Sequence, residues 1–553
     1  MLHEIRLEVD VAAFGLDGPL VKELKKVDVG RIRQDTFNDF FILPQLDAIY
    51  VHCSDKLKEL VASKLAKSTY GPKSPIEVEV PKGARVSTRA APVVGPNYFR
   101  PGTVLLPEDR LVYHFIGQQA LPIAEKGISR KIVFSYKPAP KIEEGFVIAS
   151  AQWSALRTAF EKDATSGKYT LVLKCDIAQY FSSINQHELV NQLERQGLSP
   201  ELVKFTERFL GGLTLDRSSR GLVQGSFASD LLGNAYLIGV DEFITELGLT
   251  FYRYVDDYYV LFETNDQLRD FFPKFVKRLR DYDLSLNERK SFITVPKKLL
   301  RDETELDKAF AKAKAEAEDK LTDYEEVEVE GEYGSESYIE IIETTPDKKE
   351  VELAATREIF ESLDEFKEDE RDRAEAFCLA FFRRASDPIA LDYVLKRWAR
   401  SPDKAKEYAL YLNRFVTDEK HRPSIDKALV DAADQMLDFQ WAWGALIARR
   451  MGKVSEKLLA IISKFQADGD RHEVVRSLLT YFVCKHGSAA RKKAVRDAYA
   501  GSPLLVQLAI LHASNKFTNA EQNALLKTAE AHGELQGLMC DAVRLEKKEA
   551  AKT

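Results

Sequence analysis

The run Thr250-Phe251-Tyr252-Arg253-Tyr254-Val255-Asp256-Asp257-Tyr258-Tyr259-Val260-Leu261-Phe262 constrains the fold more than any other part of the chain. Aromatic and β-branched residues lead to two adjacent aspartates and continue beyond them. This is the pattern of a β-hairpin whose tight turn carries the acidic pair. Two carboxylates about 4 Å apart repel by roughly 4 kcal/mol at an effective dielectric of 20. Turns accept Asp freely, so a solvated pair is the plain alternative to a functional one. A third aspartate upstream shifts the balance. Tyr169-Thr170-Leu171-Val172-Leu173-Lys174-Cys175-Asp176-Ile177 is a β-rich run reaching Asp176 at its end. A carboxylate closing a buried strand is unfavourable unless it is paired or binds metal. A third carboxylate beside the pair makes a site for two divalent cations, the usual apparatus for in-line transfer at phosphorus.

A chain of 553 residues holds two to four domains and enough apolar material for a core. No apolar run approaches the length of a membrane span, and Met1-Leu2-His3-Glu4-Ile5-Arg6 lacks the pattern of a secretory signal. Cys53, Cys175, Cys378, Cys484 and Cys540 are far apart, without CxxC or clustered His. That argues against disulfides and structural zinc and fits a reducing cytosol, so a cytoplasmic protein with no membrane partner is expected. The net charge of −7 is unevenly placed: residues 301–350 hold 18 acidic and 7 basic side chains, leaving about +4 elsewhere. The acidic balance therefore does not exclude a nucleic-acid partner.

Four regions follow from the pattern. Residues 1–150 form an N-terminal region, with helices expected over 20–29 and 46–67 and a Pro- and Gly-rich stretch from Tyr70 to Pro107 carrying Arg85, Arg89 and Arg100. Pro107 opens a helix with an acidic first turn, and Arg130 to Lys137 reads as a strand among basic residues. Such a region is suited to nucleotide phosphates or template backbone, or is a solvated basic face. Residues 151–300 contain the aspartates. Gly211-Gly212 begins a polar connection there. Gln224-Gly225-Ser226 then leads into an apolar helix, Leu231 to Phe243, as a phosphate- or base-contacting turn or an ordinary capped start. Residues 301–350 are an acidic insert, helical over 303–320 and then an exposed hairpin or loop. Residues 351–553 read as successive helices, broken at Asp387-Pro388, Ser401-Pro402, Arg422-Pro423, Gly452, Gly469, Gly487, Gly501 and Gly533, in the manner of HEAT-like repeats. Trp398, Trp441 and Trp443 are expected in their core.

Over roughly residues 85–296 these stretches resemble a reverse transcriptase. Lys174-Cys175-Asp176-Ile177-Ala178-Gln179-Tyr180-Phe181, Leu222-Val223-Gln224-Gly225-Ser226 with Ser229 and Asn234, Arg253-Tyr254-Val255-Asp256-Asp257, and Leu286-Asn287-Glu288-Arg289-Lys290 are similar to its successive motifs, in the right order and spacing. Val223 departs from the Pro usual before Gln-Gly. No maturase thumb, HNH endonuclease or RNase H region is recognisable after Lys290. The helical tail instead resembles bacterial abortive-infection and "unknown group" reverse transcriptases, which act in antiphage defence.

The resemblance implies an α+β right-hand polymerase, fingers and palm, followed by an all-α domain. It implies that Asp176, Asp256, Asp257 and the Ile177 carbonyl hold two Mg²⁺ ions, with Mn²⁺ as an alternative. Asp256 would be the firmer ligand of the pair. Phe181 would lie under the sugar and favour dNTPs, Gln224 and Gly225 would meet the nascent base pair, and Lys290 would serve the pyrophosphate. Arg100, Lys131 and Lys137 would meet the triphosphate. Expected partners are dNTPs and RNA or DNA, with a non-coding RNA and a homo-oligomer left open. Synthesis could be template-independent or start on one of the chain's tyrosines, such as Tyr393, Tyr408, Tyr411, Tyr481 or Tyr499. A retron- or group II intron-like enzyme copying one defined RNA is the first alternative. An inactive palm carrying a binding helical region is the second.

Overall fold

Asp176 and the acidic pair meet in one four-stranded antiparallel sheet. A computed structural model describes residues 13–37, 40–87, 95–139, 146–147, 149–214, 219–302, 309, 313, 327–330, 337–340 and 346–550. Helices α1 (Gly18–Lys25), α2 (Val29–Phe37), α3 (Pro44–His52) and α4 (Ser54–Ala66) come first. The helix expected over 46–67 is divided at Cys53, whose φ of −127° leaves the helical region. A long hairpin, β1 (Ile76–Arg85) and β2 (Asn97–Val104), occupies the Pro- and Gly-rich stretch. Helix α5 (Pro107–Gly127) starts at Pro107 as expected. Arg130 to Lys137 is a series of turns rather than a strand. The Arg130 guanidinium donates to the carbonyls of Ser135 (2.8 Å) and Tyr136 (3.1 Å), and Tyr136 has φ +52°, so the backbone curls around the side chain.

Next come α6 (Ala149–Thr165), β3 (Leu171–Cys175), the single turn α7 (Tyr180–Ser183), α8 (Gln186–Arg195) and α9 (Pro200–Leu213). Gly211 and Gly212 lie inside α9 and do not begin a connection. The helix expected from Leu231 to Phe243 is two, α10 (Phe227–Tyr236) and α11 (Ile238–Glu246). Strands β4 (Thr250–Tyr254) and β5 (Asp257–Phe262) form the expected hairpin, followed by α12 (Asn265–Asp281), β6 (Phe292–Thr294) and α13 (Pro296–Asp302). The sheet order is β4-β5-β3-β6.

Side chains alternate across a strand, and the two faces separate accordingly. Tyr252, Tyr254, Tyr259 and Leu261 join Leu156, Phe160 and Leu299 on one face. Phe251, Tyr258, Val260 and Phe262 enter the main core with Phe271 and Phe275 of α12 on the other. Both faces of β3, β4 and β5 are covered, while the edge strand β6 is exposed, so the strands that carry the aspartates are held firmly beneath their loops.

Of the acidic stretch, the strand pair Val327–Glu330 with Ser337–Glu340 is described. The helix expected over 303–320 otherwise lies outside the described residues. The region from Pro346 onward is helical, and the expected Pro and Gly positions fall at breaks between helices, with further breaks over 362–367, 433–437 and 513–518 that no Pro or Gly marks. Trp398, Trp441 and Trp443 are buried, as are all five cysteines. Tyr408 donates to Glu375 Oε1 (2.6 Å) and Tyr411 to the Asp387 carbonyl (2.8 Å), so both act in packing. No helix among the described residues is long and apolar enough to cross a membrane.

These C-terminal helices pack on the beginning of the chain. Gln45 donates to Ser477 (3.2 Å), Lys56 pairs with Asp541 (2.6 Å), and Phe41 meets Phe439 edge-on at 5.7 Å. Beneath them the first turn of α5 is acidic but buried. Asp109 accepts from Tyr70 (2.6 Å) and the Lys73 amide (3.1 Å), and burial pushes its carboxyl up to about 7. The folded form therefore binds the proton more tightly than the unfolded chain. Stability is expected to be fullest below the ordinary carboxylate pKa of about 4 and to fall by a few kcal/mol as pH rises to about 7. Thermal melts of Asp109→Asn beside the parent should show a flatter pH dependence across that window.

Candidate active site

The register of β3 against β5 pairs Cys175 with Tyr258. One further residue along these antiparallel strands sets Asp176 across from Asp257. Tyr254 pairs with Asp257 across the hairpin, leaving Val255 and Asp256 as its two-residue turn. Val255 has φ +54°. A β-branched residue there is a rare outlier, costing of order 1–3 kcal/mol unless its surroundings enforce it.

The enforcing groups are identifiable. Arg253, fully buried, donates from Nη1 to the Val255 carbonyl (2.9 Å) and to Asn234 Oδ1 (2.7 Å). Its Nε and Nη2 bind both oxygens of Asp241, at 2.9 and 2.6 Å. Tyr258 donates to the same carboxylate (2.9 Å). Ser135 Oγ accepts from the Val255 amide (2.9 Å), and Asn234 donates to the Ser135 carbonyl (3.1 Å). Thus α10, α11 and the turns after α5 clamp both polar backbone groups of Val255. Burial raises the Asp241 carboxyl above its ordinary value, and Arg253 and Tyr258 offset part of that.

The carboxylates crowd one another. Asp256 is pushed up to about 8 by burial, then by Asp257 and Asp176, with a backbone hydrogen bond and Lys290 partly offsetting. Asp176 is held from its far side. Its carbonyl accepts from the Asn287 amide (2.8 Å), its Oδ2 from Asn287 Nδ2 (2.8 Å), and its Oδ1 faces Lys290 Nζ at 3.4 Å. Ile177 is buried and bridges to Leu286. As they stand, no three His, Cys, Asp or Glu side chains among the described residues are gathered into a metal-ligand group.

Phe181 is buried below this edge; a Cβ on Gly233 would come within 3.0 Å of its ring. The Gln224-Gly225 turn lies beside it. Leu222 donates to the Phe181 carbonyl (2.9 Å) and Gln224 Nε2 to Ser182 Oγ (3.5 Å). Gly225 has φ +85°, a conformation that favours glycine. Ser226 caps α10 through the Ser229 amide (3.3 Å).

The basic residues divide. Arg100 lies on β2, its guanidinium 4.9 Å from the Phe40 ring centre. Lys131 and Lys137 are exposed on the turns after α5, and no described contact draws either to the carboxylates. Lys82 on β1, unmarked by the sequence reading, is a stronger candidate. Burial, Arg100 and Lys290 lower its pKa, while Asp176 and Asp256 raise it. It therefore lies within electrostatic reach of the acidic site. Its signal was the alternation Ile76-Glu77-Val78-Glu79-Val80, which marks a strand ahead of Pro81. Asn287 stands within the motif Leu286 to Lys290, where the sequence assigns it no role of its own.

Residues 123–328 match the family described as reverse transcriptase (RNA-dependent DNA polymerase). Over these residues the chain carries a palm-type reverse transcriptase domain, which indicates RNA-directed DNA polymerase, hence nucleotidyltransferase, activity. No curated protein matches. Among solved structures, telomerase from Candida albicans in complex with a TWJ fragment of telomeric RNA is similar at 12% identity, over 76% of this chain and 70% of that one, with TM-score 0.28. Apo telomerase from Candida tropicalis is similar at 9% identity, over 85% and 73%, with TM-score 0.28.

Proposed function

We propose that the chain is a DNA polymerase of reverse-transcriptase type that adds dNTPs by a two-metal mechanism and acts in antiphage defence. Fingers would occupy residues 1–150, the palm 151–300 and HEAT-like repeats 351–553, with 301–350 an acidic insert. The observation that carries the reading is the convergence of Asp176 with Asp256 and Asp257 at one end of the sheet. The donor chemistry fits a cation: burial, then Asp257 and Asp176, push Asp256 up to about 8, and a bound cation would offset that repulsion and keep the three groups ionised. Asp176, Asp256, Asp257 and the Ile177 carbonyl would hold two Mg²⁺ ions, or Mn²⁺. When bound, these supply charge neutralisation at the triphosphate and acidify the primer hydroxyl.

The protein's own groups do the rest. Lys82 and Arg100 bind the triphosphate, Lys290 neutralises the departing pyrophosphate, and Asn287 orients the Asp176 carboxylate. Gln224 and Gly225 meet the nascent base pair. Phe181 lies under the sugar and rejects a 2′-hydroxyl, so Phe181→Val is expected to raise ribonucleotide use by about tenfold or more relative to dNTPs, read by competitive primer extension. Support for a defence role is the helical region after the palm, where a copying enzyme of the intron type carries a thumb. Purification with bound nucleic acid, then sequencing before and after protease, tests the template. DNA released only by proteolysis is expected for protein priming, and one defined RNA for a dedicated template. Absence of dNTP incorporation on every template would overturn the polymerase reading. Undiminished phage protection by an incorporation-deficient Asp256→Ala protein would overturn the defence reading.

A further inference from the structure

Lys82, within electrostatic reach of the acidic site, stands in an irregularity of its strand. Pro81 pairs with Phe99 and Arg85 with Asn97, so Lys82, Gly83 and residue 84 face only Tyr98 across the hairpin. Such a bulge re-aims a side chain and weakens the ladder that would fix it. Something else must hold the bulge in shape, and it comes from the C-terminal helices.

Asn97 Nδ2 donates to the Lys82 carbonyl (2.7 Å) and also to Asp403 Oδ1 (3.2 Å). Arg85 Nη2 reaches the same oxygen at 3.7 Å. Asp403 lies in the short turn Pro402–Lys404 and is only 10% exposed. A Cβ on Gly83 would lie 3.6 Å from Asp372 and 3.9 Å from Asp403, so the bulge packs directly on these carboxylates. Further along β1, His472 Nε2 donates to the Glu77 carbonyl at 2.8 Å. Its Nδ1 accepts from the Val474 amide (3.2 Å), which fixes the tautomer. Asp403 is therefore a partly buried carboxylate beside both residues that close the bulge: it accepts from Asn97, which also holds the Lys82 carbonyl, and faces Arg85.

Resting on the polymerase reading above, we propose that Asp403 is a positioning residue for nucleotide addition: the C-terminal helices reach across to the β1–β2 bulge and set Lys82 for the incoming triphosphate. Asp403 touches no reacting atom. It acts through Asn97 and the Lys82 backbone.

Steady-state incorporation by the full chain distinguishes this from simple packing. Asp403→Asn keeps the shape and loses the charge. It is expected to raise the KM for dNTP by about tenfold while kcat changes less than about twofold, since a charge-assisted bond that orders a binding group is weakened. Lys82→Ala should raise KM by at least as much, and the double variant should be no worse than Lys82→Ala alone. Additive effects, or a fall in kcat with KM unchanged, would overturn the assignment of Asp403 to Lys82. If Asp403→Asn expresses poorly, Asn97→Ser removes the same bridge from the other side and is expected to give the same split in KM. The parent enzyme run in parallel separates the two ideas: incorporation by the parent with unshifted KM in both variants sinks only the positioning role, whereas a silent parent sinks the polymerase reading beneath it.

Discussion

Asp256→Ala is expected to lower dNTP incorporation by about a thousandfold in primer extension, because the ions it would hold under the proposed mechanism supply several kcal/mol of charge stabilisation and each 1.4 kcal/mol is tenfold. Asp257→Ala should lower it less, since Asp256 alone occupies the clamped turn. Loss of fold has to be separated from loss of chemistry, and Asp256 itself provides the means. Its folded pKa of about 8 lies above the unfolded value, so the carboxyl adds stability fully at low pH and loses it as pH rises from about 4 to 8. Asp256→Asn removes that loss. In metal-free buffer at pH 8 the variant is expected to melt higher than the parent, by of order a few kcal/mol, while being inactive. Undiminished incorporation by both alanine variants would sink the site assignment, and a lower melting point for Asp256→Asn would contradict the electrostatic account.

The largest effect on stability is expected at Arg253. Replacing it with Met leaves Asp241 buried without its partner and frees the Val255 carbonyl, for a loss of about 3–5 kcal/mol. The loss has a pH signature. Burial already raises Asp241, and without the guanidinium it rises further. The variant should therefore be closest to the parent at acid pH and fall progressively behind as pH increases through the raised value. Arg253→Met with Asp241→Leu should recover much of the stability, since a matched apolar pair often replaces a buried ion pair at little loss. It should not recover activity, because the Val255 carbonyl is then unheld and only Ser135, at the amide, still supports the positive φ. Thermal melts at pH 5 and pH 8 with parallel incorporation assays check both statements. Recovered activity in the double variant would mean that the hairpin register alone fixes the turn.

The palm and its acidic residues were legible because their signals are local. Runs of aromatic and β-branched residues mark β3, β4 and β5, and each aspartate stands at or beside the end of one. The C-terminal helices were legible from Pro and Gly breaks. What escaped depended on contacts distant in sequence. Arg253 reads as one more residue of a strand until Asp241 and Asn234 are folded against it. Arg130 to Lys137 has strand composition, but a guanidinium binding its own downstream carbonyls curls it. Leu231 to Phe243 is apolar throughout, and nothing in composition marks the break at Leu237. Lys82 was hidden because Pro81 and Gly83 suggest a loop, whereas here they make a bulge.

The packing of Cys53 against Leu538, whose carbonyl accepts from the thiol at 3.4 Å, has a consequence for synthesis. The two residues are 485 positions apart. At about 5–20 residues per second, roughly half a minute or more separates their emergence from a ribosome. The palm sheet closes from contacts within about a hundred residues and is complete long before. Its β1–β2 neighbour must wait for Asp403 and His472, and α3 and α4 for the helices made last. A nascent chain thus brings its carboxylates together well before the hairpin carrying Lys82 is braced.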